Sequence, residues 1–135
     1  MRIIRDLSFE EAGRRLRRAH LAVLAFTWDD EIHVMPVNVG VDRNAVWFRA
    51  VAGVKLDAAT AGIRMAVHIH DSDVVEHGGW SVTARGAAVV DPDGPTTGLL
   101  PQVRPWIEPA RGGAWVRIPI DRLDGRELAS STDHG

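Results

Sequence analysis

The chain has 135 residues, 45% of them hydrophobic and 25% charged, which predicts one globular domain spanning 1–135 with a real core. Its net charge of −2 argues against a sequence-independent nucleic-acid binder, which would carry a strong basic excess. The absence of cysteine excludes disulfides, thiolate metal sites, iron–sulfur clusters and cysteine nucleophiles, and fits a cytoplasmic protein.

No apolar run approaches the roughly 20 residues that span a bilayer, so no membrane association is expected. The N-terminus is basic through Arg2, Arg5, Arg14, Arg15, Arg17 and Arg18, but Asp6, Glu10 and Glu11 argue against a transit peptide. Tyrosine is absent, so no phenol serves as an acid.

Ser8 and Glu11 have the spacing of a capping box, and Phe9, Ala12, Leu16 and Ala19 follow at helical spacing. These predict a helix over about residues 9–19. Leu21 to Thr27 is a short apolar run ending at a turn, Trp28-Asp29-Asp30. Glu31 to Val39 alternates loosely, and Pro36 predicts an edge or a bulge because it cannot donate to a ladder. A second turn at Asp42-Arg43-Asn44 precedes Ala45 to Ala50. Together these predict a three-stranded meander.

Lys55 to Ala61 predicts a short helix closed by Gly62. In the next strand, Ile63, Met65, Val67 and Ile69 should face inward and Arg64, Ala66 and His68 outward. After the loop from Asp71 to Gly79, a strand should run from Trp80 to Val90, broken at Asp91-Pro92-Asp93-Gly94-Pro95. Leu99 to Glu108 is open between a short helix and an irregular loop. Trp115 to Ile120 is the last expected strand, and Asp121 onward reads as a polar tail that frays. Six short strands with a leading helix and a small inserted one predict a mainly β, closed or nearly closed antiparallel barrel. An open sheet covered by the first helix competes with it.

Chemistry-bearing motifs are sparse. There is no Rossmann glycine fingerprint, Walker loop or nucleophile elbow. Ser81 lacks a recognisable base partner. His68 and His70 share one strand face and His33 is a third candidate, but no acidic ligand set accompanies them, so no metal site is expected. Of the 16 lysines and arginines, Lys55 is the only lysine. It follows a strand carrying Arg49 and a loop containing Gly53, a plausible phosphate cradle. A GC-rich codon usage explains an isolated lysine equally well. Trp47 should share a face with Arg49, Trp80 opens a strand, and Trp106 lies between Pro105 and Pro109. Most tryptophans are core or interface residues, yet flat apolar surfaces beside a cation pair also suit a phosphorylated heteroaromatic ligand.

Read in order, Met35-Pro36-Val37-Asn38, Phe48-Arg49, Gly53-x-Lys55-Leu56, Gly79-Trp80-Ser81-Val82, Arg85-Gly86, Pro105-Trp106, Val116-Arg117-Ile118 and Leu123-x-Gly125-Arg126 resemble a known family. It is the pyridoxamine 5′-phosphate oxidase-like, FMN-binding split-barrel family, in its short actinobacterial-type branch. The resemblance implies a six-stranded antiparallel split β-barrel and a homodimer with FMN in the groove between protomers. It implies an FMN-dependent oxidoreductase that passes hydride to or from an unidentified small molecule.

Pro36, Val37 and Asn38 would line the flavin ring through their backbone. Arg49 and Lys55 would hold the phosphate, in the segments Phe48-Arg49-Ala50 and Gly53 to Leu56. Trp80 and Ser81 would border the ribityl chain and ring, and Trp106 would approach the flavin of the partner subunit. The chain departs from the family at Ala50 and Val54, where hydroxyl residues are common, and at His68 and His70, where acids are common. The alternatives are a deazaflavin cofactor, a haem- or flavin-binding protein without turnover, and a non-redox biosynthetic enzyme with no cofactor.

Overall fold

The computed structural model describes residues 2–73, 78–95 and 113–130. In chain order its elements are β1 (Arg2–Asp6), α1 (Phe9–Arg17), β2 (Leu21–Trp28), β3 (Glu31–Asn38), β4 (Gly40–Asp42) and β5 (Ala45–Ala50). They continue with α2 (Val54–Thr60), β6 (Arg64–Asp73), β7 (Gly78–Ala87), β8 (Val89–Val90), β9 (Ala114–Pro119) and β10 (Arg122–Ser130). One sheet runs β1-β10-β7-β6-β2-β3 and the other β4-β5-β9-β8. Every described pairing is antiparallel, and the whole fits a split barrel, mainly β with two helices.

The fold class agrees with the expectation, but the described residues form ten strands rather than six. One expected strand, Trp80 to Val90, is divided between the sheets, and another, Glu31 to Val39, is followed by an unexpected strand in the second sheet. The run from Glu31 ends as β3, and after Val39 the chain joins the second sheet as β4. The run from Trp80 likewise changes sheet at Ala88, whose N–H donates to the Ile63 carbonyl. Apolar periodicity continues through both crossings because the core lies between the sheets. Leu24, Val37, Val39, Phe48, Val67, Val82, Val116 and Ile118 are all buried there.

The tail after Asp121 is the clearest correction. Residues 122–130 form β10, held between β1 and β7. Its polarity conceals it, because the strand is fastened by cross-strand ion pairs as well as apolar contact. Arg85 meets Asp124 at 3.0 Å and Arg5 meets Glu127 at 2.5 Å. Arg64 grips Asp121 with two hydrogen bonds of 2.6 and 2.9 Å, holding the corner between β9 and β10.

The local signals mostly hold. Ser8 and Glu11 form the capping box, with the Glu11 N–H donating to Ser8 Oγ at 3.1 Å. Ala12 and Leu16 are buried, whereas Phe9 is 67% exposed and outside the apolar face expected for it. Both hairpin turns place two residues at positive φ, Asp29 and Asp30, then Arg43 and Asn44, as tight two-residue loops require. Gly62 adopts φ 73° just after α2, and Met65, Val67 and Ile69 face the core. β3, carrying Pro36, is indeed an edge strand. The segment 99–108 lies outside the described residues.

Candidate functional site

β5 delivers the central cation. Its register with β9 sets Arg49 opposite Trp115, Phe48 opposite Val116 and Trp47 opposite Arg117. The Arg49 guanidinium lies 4.3 Å from the centre of the Trp115 ring, and Trp47 meets the same ring edge-on at 6.0 Å. Gly94 closes on the Trp115 indole, where a Cβ would stand 2.8 Å from Cδ1. Arg49 Nε is buried and has no hydrogen-bond partner among the described residues.

Asp91, whose N–H donates to the Trp115 carbonyl, has a carboxylate that is already committed. Asp91 accepts from the Asp93 N–H at 3.0 Å and from Arg117 Nε at 3.0 Å. The Asp93 N–H is the largest cause holding its carboxyl below the usual range, with Arg117 adding to it. No ion pair joins Arg49 or Lys55 to a carboxylate among the described residues.

Val51 to Gly53 link Arg49 to Lys55 in the first turn of α2. Gly53 sits at φ 152°, a conformation that side chains avoid, and its side offers no cap to the helix. Lys55 is half-buried, and that burial pushes its ammonium below the ordinary lysine value. Arg49 and Lys55 thus flank one short connection, a planar fork on the strand side and a point charge on the helix side.

Asn38 ends β3 just before the chain crosses into the second sheet, where Gly40 pairs with Trp47 of the strand that carries Arg49. β3 pairs only with β2, so its outer edge presents backbone groups to whatever lies beside it. Pro36 is exposed there, while Val37 points into the core. Phe48 and Ala50 are also core side chains, and Leu56 packs against the core from α2.

Trp80 and Ser81 stand apart from β3 within the chain. They pair with Asp71 and His70, and β2 and β6 separate their strand from β3. Three strand spacings amount to about 14 Å along the sheet. Trp80 instead meets α1, with the Arg15 guanidinium 4.8 Å from its ring centre. Trp106 lies outside the described residues. His68 and His70 lie 5.4 Å apart, and His68 Nδ1 is 2.9 Å from Thr83 Oγ1. His33 stacks on Phe26 instead of joining them. No cluster of three or more metal-ligating side chains occurs among the described residues.

Sequence reasoning missed Trp115 as a site residue. Its signal was present as an alternating position on the last expected strand. Only the β5–β9 register makes it the floor of Arg49.

Comparison with known proteins points one way. Residues 8–127 match the family model described as pyridoxamine 5′-phosphate oxidase. No curated protein matches the chain. Among solved structures, the FAD binding protein from Mycobacterium smegmatis is 27% identical with a TM-score of 0.67, covering 93% of this chain and 98% of that one. A FAD-binding protein from Mesorhizobium loti is 22% identical with a TM-score of 0.81, covering 96% and 100%. The FAD and heme binding protein from Mycobacterium smegmatis is 18% identical with a TM-score of 0.69, covering 93% and 73%. The last two likenesses concern the fold alone. No helix among the described residues is long and apolar enough to cross a membrane.

Proposed function

Because this chain belongs to the pyridoxamine 5′-phosphate oxidase family, we propose that it is a flavin-dependent oxidoreductase acting on a small molecule, with FMN as the cofactor. The observation that carries this reading is the cradle of Arg49 and Lys55. Both cations are partly desolvated, neither has a carboxylate partner among the described residues, and Arg49 Nε lacks an acceptor. A buried donor left unmatched is costly, and a phosphate oxygen would satisfy it.

The remaining residues have roles that follow from position. Trp115 holds the guanidinium flat, so Arg49 offers its fork in a fixed plane. The edge strand β3 around Pro36 and Val37 would supply backbone groups to the ring. A bound flavin supplies hydride transfer itself, so the protein needs to bind it, orient it and exclude water around it. Ala50 and Val54 leave the phosphate without two hydroxyl donors, which places more of the binding on Arg49 and Lys55.

The same reading makes the protein a homodimer with the flavin between protomers. Ile32 and Val34 alternate along the edge strand β3 and are 77% and 64% exposed, a patch suited to a second copy.

The test is a visible absorption titration of the purified protein with FMN and with FAD. Saturable binding, weakened by Arg49→Ala and by Lys55→Ala, is the expected result. Failure of either flavin to bind even in the millimolar range would overturn the reading.

A further inference from the structure

We propose that the cleft between α1 and the adjoining end of the six-stranded sheet binds a phosphorylated planar heterocycle of nucleotide size. The cleft holds about 670 Å³. That lies within the range of small-molecule sites, roughly 300–1,000 Å³. Three guanidiniums line it, those of Arg14, Arg15 and Arg18.

Two carboxylates share its wall with the arginines, and Glu11 has its own cation in Arg5. Glu11 receives Arg5 at 3.3 Å and the Ser8 N–H at 3.4 Å. Asp71 accepts the Ser72 N–H at 2.9 Å. None of the three arginines has an ion pair among the described residues. Arg14 and Arg18 are four apart on the helix, a spacing at which like charges repel. The helix dipole favours cations in the last turn of α1, but it does not require three to converge on one concavity. An oxyanion between them would relieve the repulsion.

The rest of the lining suits a flat body behind the anion. Arg15 lies over Trp80, and Leu21 and Ile69 add apolar wall. Leu21 also pairs with Asn38 at the end of β3, the strand assigned to the flavin ring. Two ligands share this chemistry, the outer half of a dinucleotide flavin and a separate phosphorylated substrate. Either assignment rests on the flavin reading above, whereas anion binding itself does not.

Calorimetry with AMP and with inorganic phosphate tests it, using wild type, the Arg14→Ala/Arg18→Ala double variant and Arg17→Ala, which faces the opposite groove. Arg14 and Arg18 are exposed, so the fold is retained. AMP should bind more tightly than phosphate, quench tryptophan emission in a way lost in Trp80→Phe, and bind about tenfold or more weakly to the double variant, on the scale of charge-assisted bonds. Arg17→Ala should bind as wild type does. Absence of AMP binding to wild type, or equal binding by the double variant, overturns the proposal.

Titration of the same proteins with FAD and FMN separates the sources. A loss for AMP and FAD that spares FMN assigns the outer half of a dinucleotide. A loss confined to AMP assigns a separate substrate. Arginine-dependent AMP binding in a wild type that takes up neither flavin would sustain the cleft while the flavin reading fell.

Discussion

Arg49 and Trp115 are cross-strand partners, and the guanidinium of one lies 4.3 Å above the ring of the other. The pair fixes a cation whose Nε finds no acceptor among the described residues. Arg49→Ala should therefore act on two observables. Flavin affinity should fall by about 10- to 100-fold, the equivalent of one charge-assisted phosphate interaction. Stability should fall by about 0.5–2 kcal/mol through the lost cation–π contact. Arg49→Lys should keep the charge, lose the fork and fall between the two. An absorbance titration beside urea unfolding checks both, and unchanged affinity would remove Arg49 from the site.

Lys55 titrates below its ordinary value because burial penalises the ammonium. A bound phosphate favours the charged form and raises that value again. Affinity should then be highest where Lys55 is already charged and decline as pH rises through the lowered value of the free protein. Titrations between about pH 7 and 10 should show this decline in wild type and a flatter profile in Lys55→Ala. Parallel profiles would return Lys55 to an ordinary helix-start residue.

His68 carries a different pH dependence. Burial first, then His70 and Arg85, hold it below the ordinary value of 6.5. The unfolded chain therefore takes up a proton before the folded one does. Stability should fall as pH drops from 6.5 through the lowered folded value, and be regained above it. Urea unfolding at about pH 7.5 and 5.5 should give a smaller difference in His68→Gln than in wild type. Equal differences would show that His68 does not contribute.

Gly86 of β7 lies hard against the end of β9. A Cβ there would run into the Pro119 carbonyl oxygen and stand 3.0 Å from Ile118 Cγ2. The obstacle is chiefly the backbone of Pro119 at the end of β9, so relief requires the two strands to part. Gly86→Ala should cost about 1–3 kcal/mol or more. A thermal melt indistinguishable from wild type would show that the crossing is looser than the structure describes.

The exposed patch of β3 tests the dimer. Ile32→Asp with Val34→Asp adds charge where two apolar side chains are 77% and 64% exposed. Light scattering should give a dimer for wild type and a monomer for the double variant, with folding retained because neither side chain is in the core. A monomeric wild type would contradict the dimer.

Much of the fold was legible because local chemistry fixes it. The capping box at Ser8, the paired turn residues Asp29-Asp30 and Arg43-Asn44, and the alternation through Met65, Val67 and Ile69 each act within a few residues. Pro36 placed its strand at an edge for the same reason: it lacks the N–H that a second neighbour would need. β10 was illegible because its stability lies in partners distant along the chain, Asp124 with Arg85 and Glu127 with Arg5. A strand held this way looks polar in isolation and stable only in its ladder.

The candidate site divides along the same line. Sequence by itself singled out Arg49 and Lys55, because a cation pair across a glycine loop is a local pattern with a physical use. It could not supply Trp115 as the floor beneath Arg49, the separation of Trp80 from Asn38 by two strands, or the convergence of Arg14, Arg15 and Arg18 on one cleft. Those relationships depend on strand order and register. A single-residue change of register reverses which face each side chain occupies, so only the folded chain decides them.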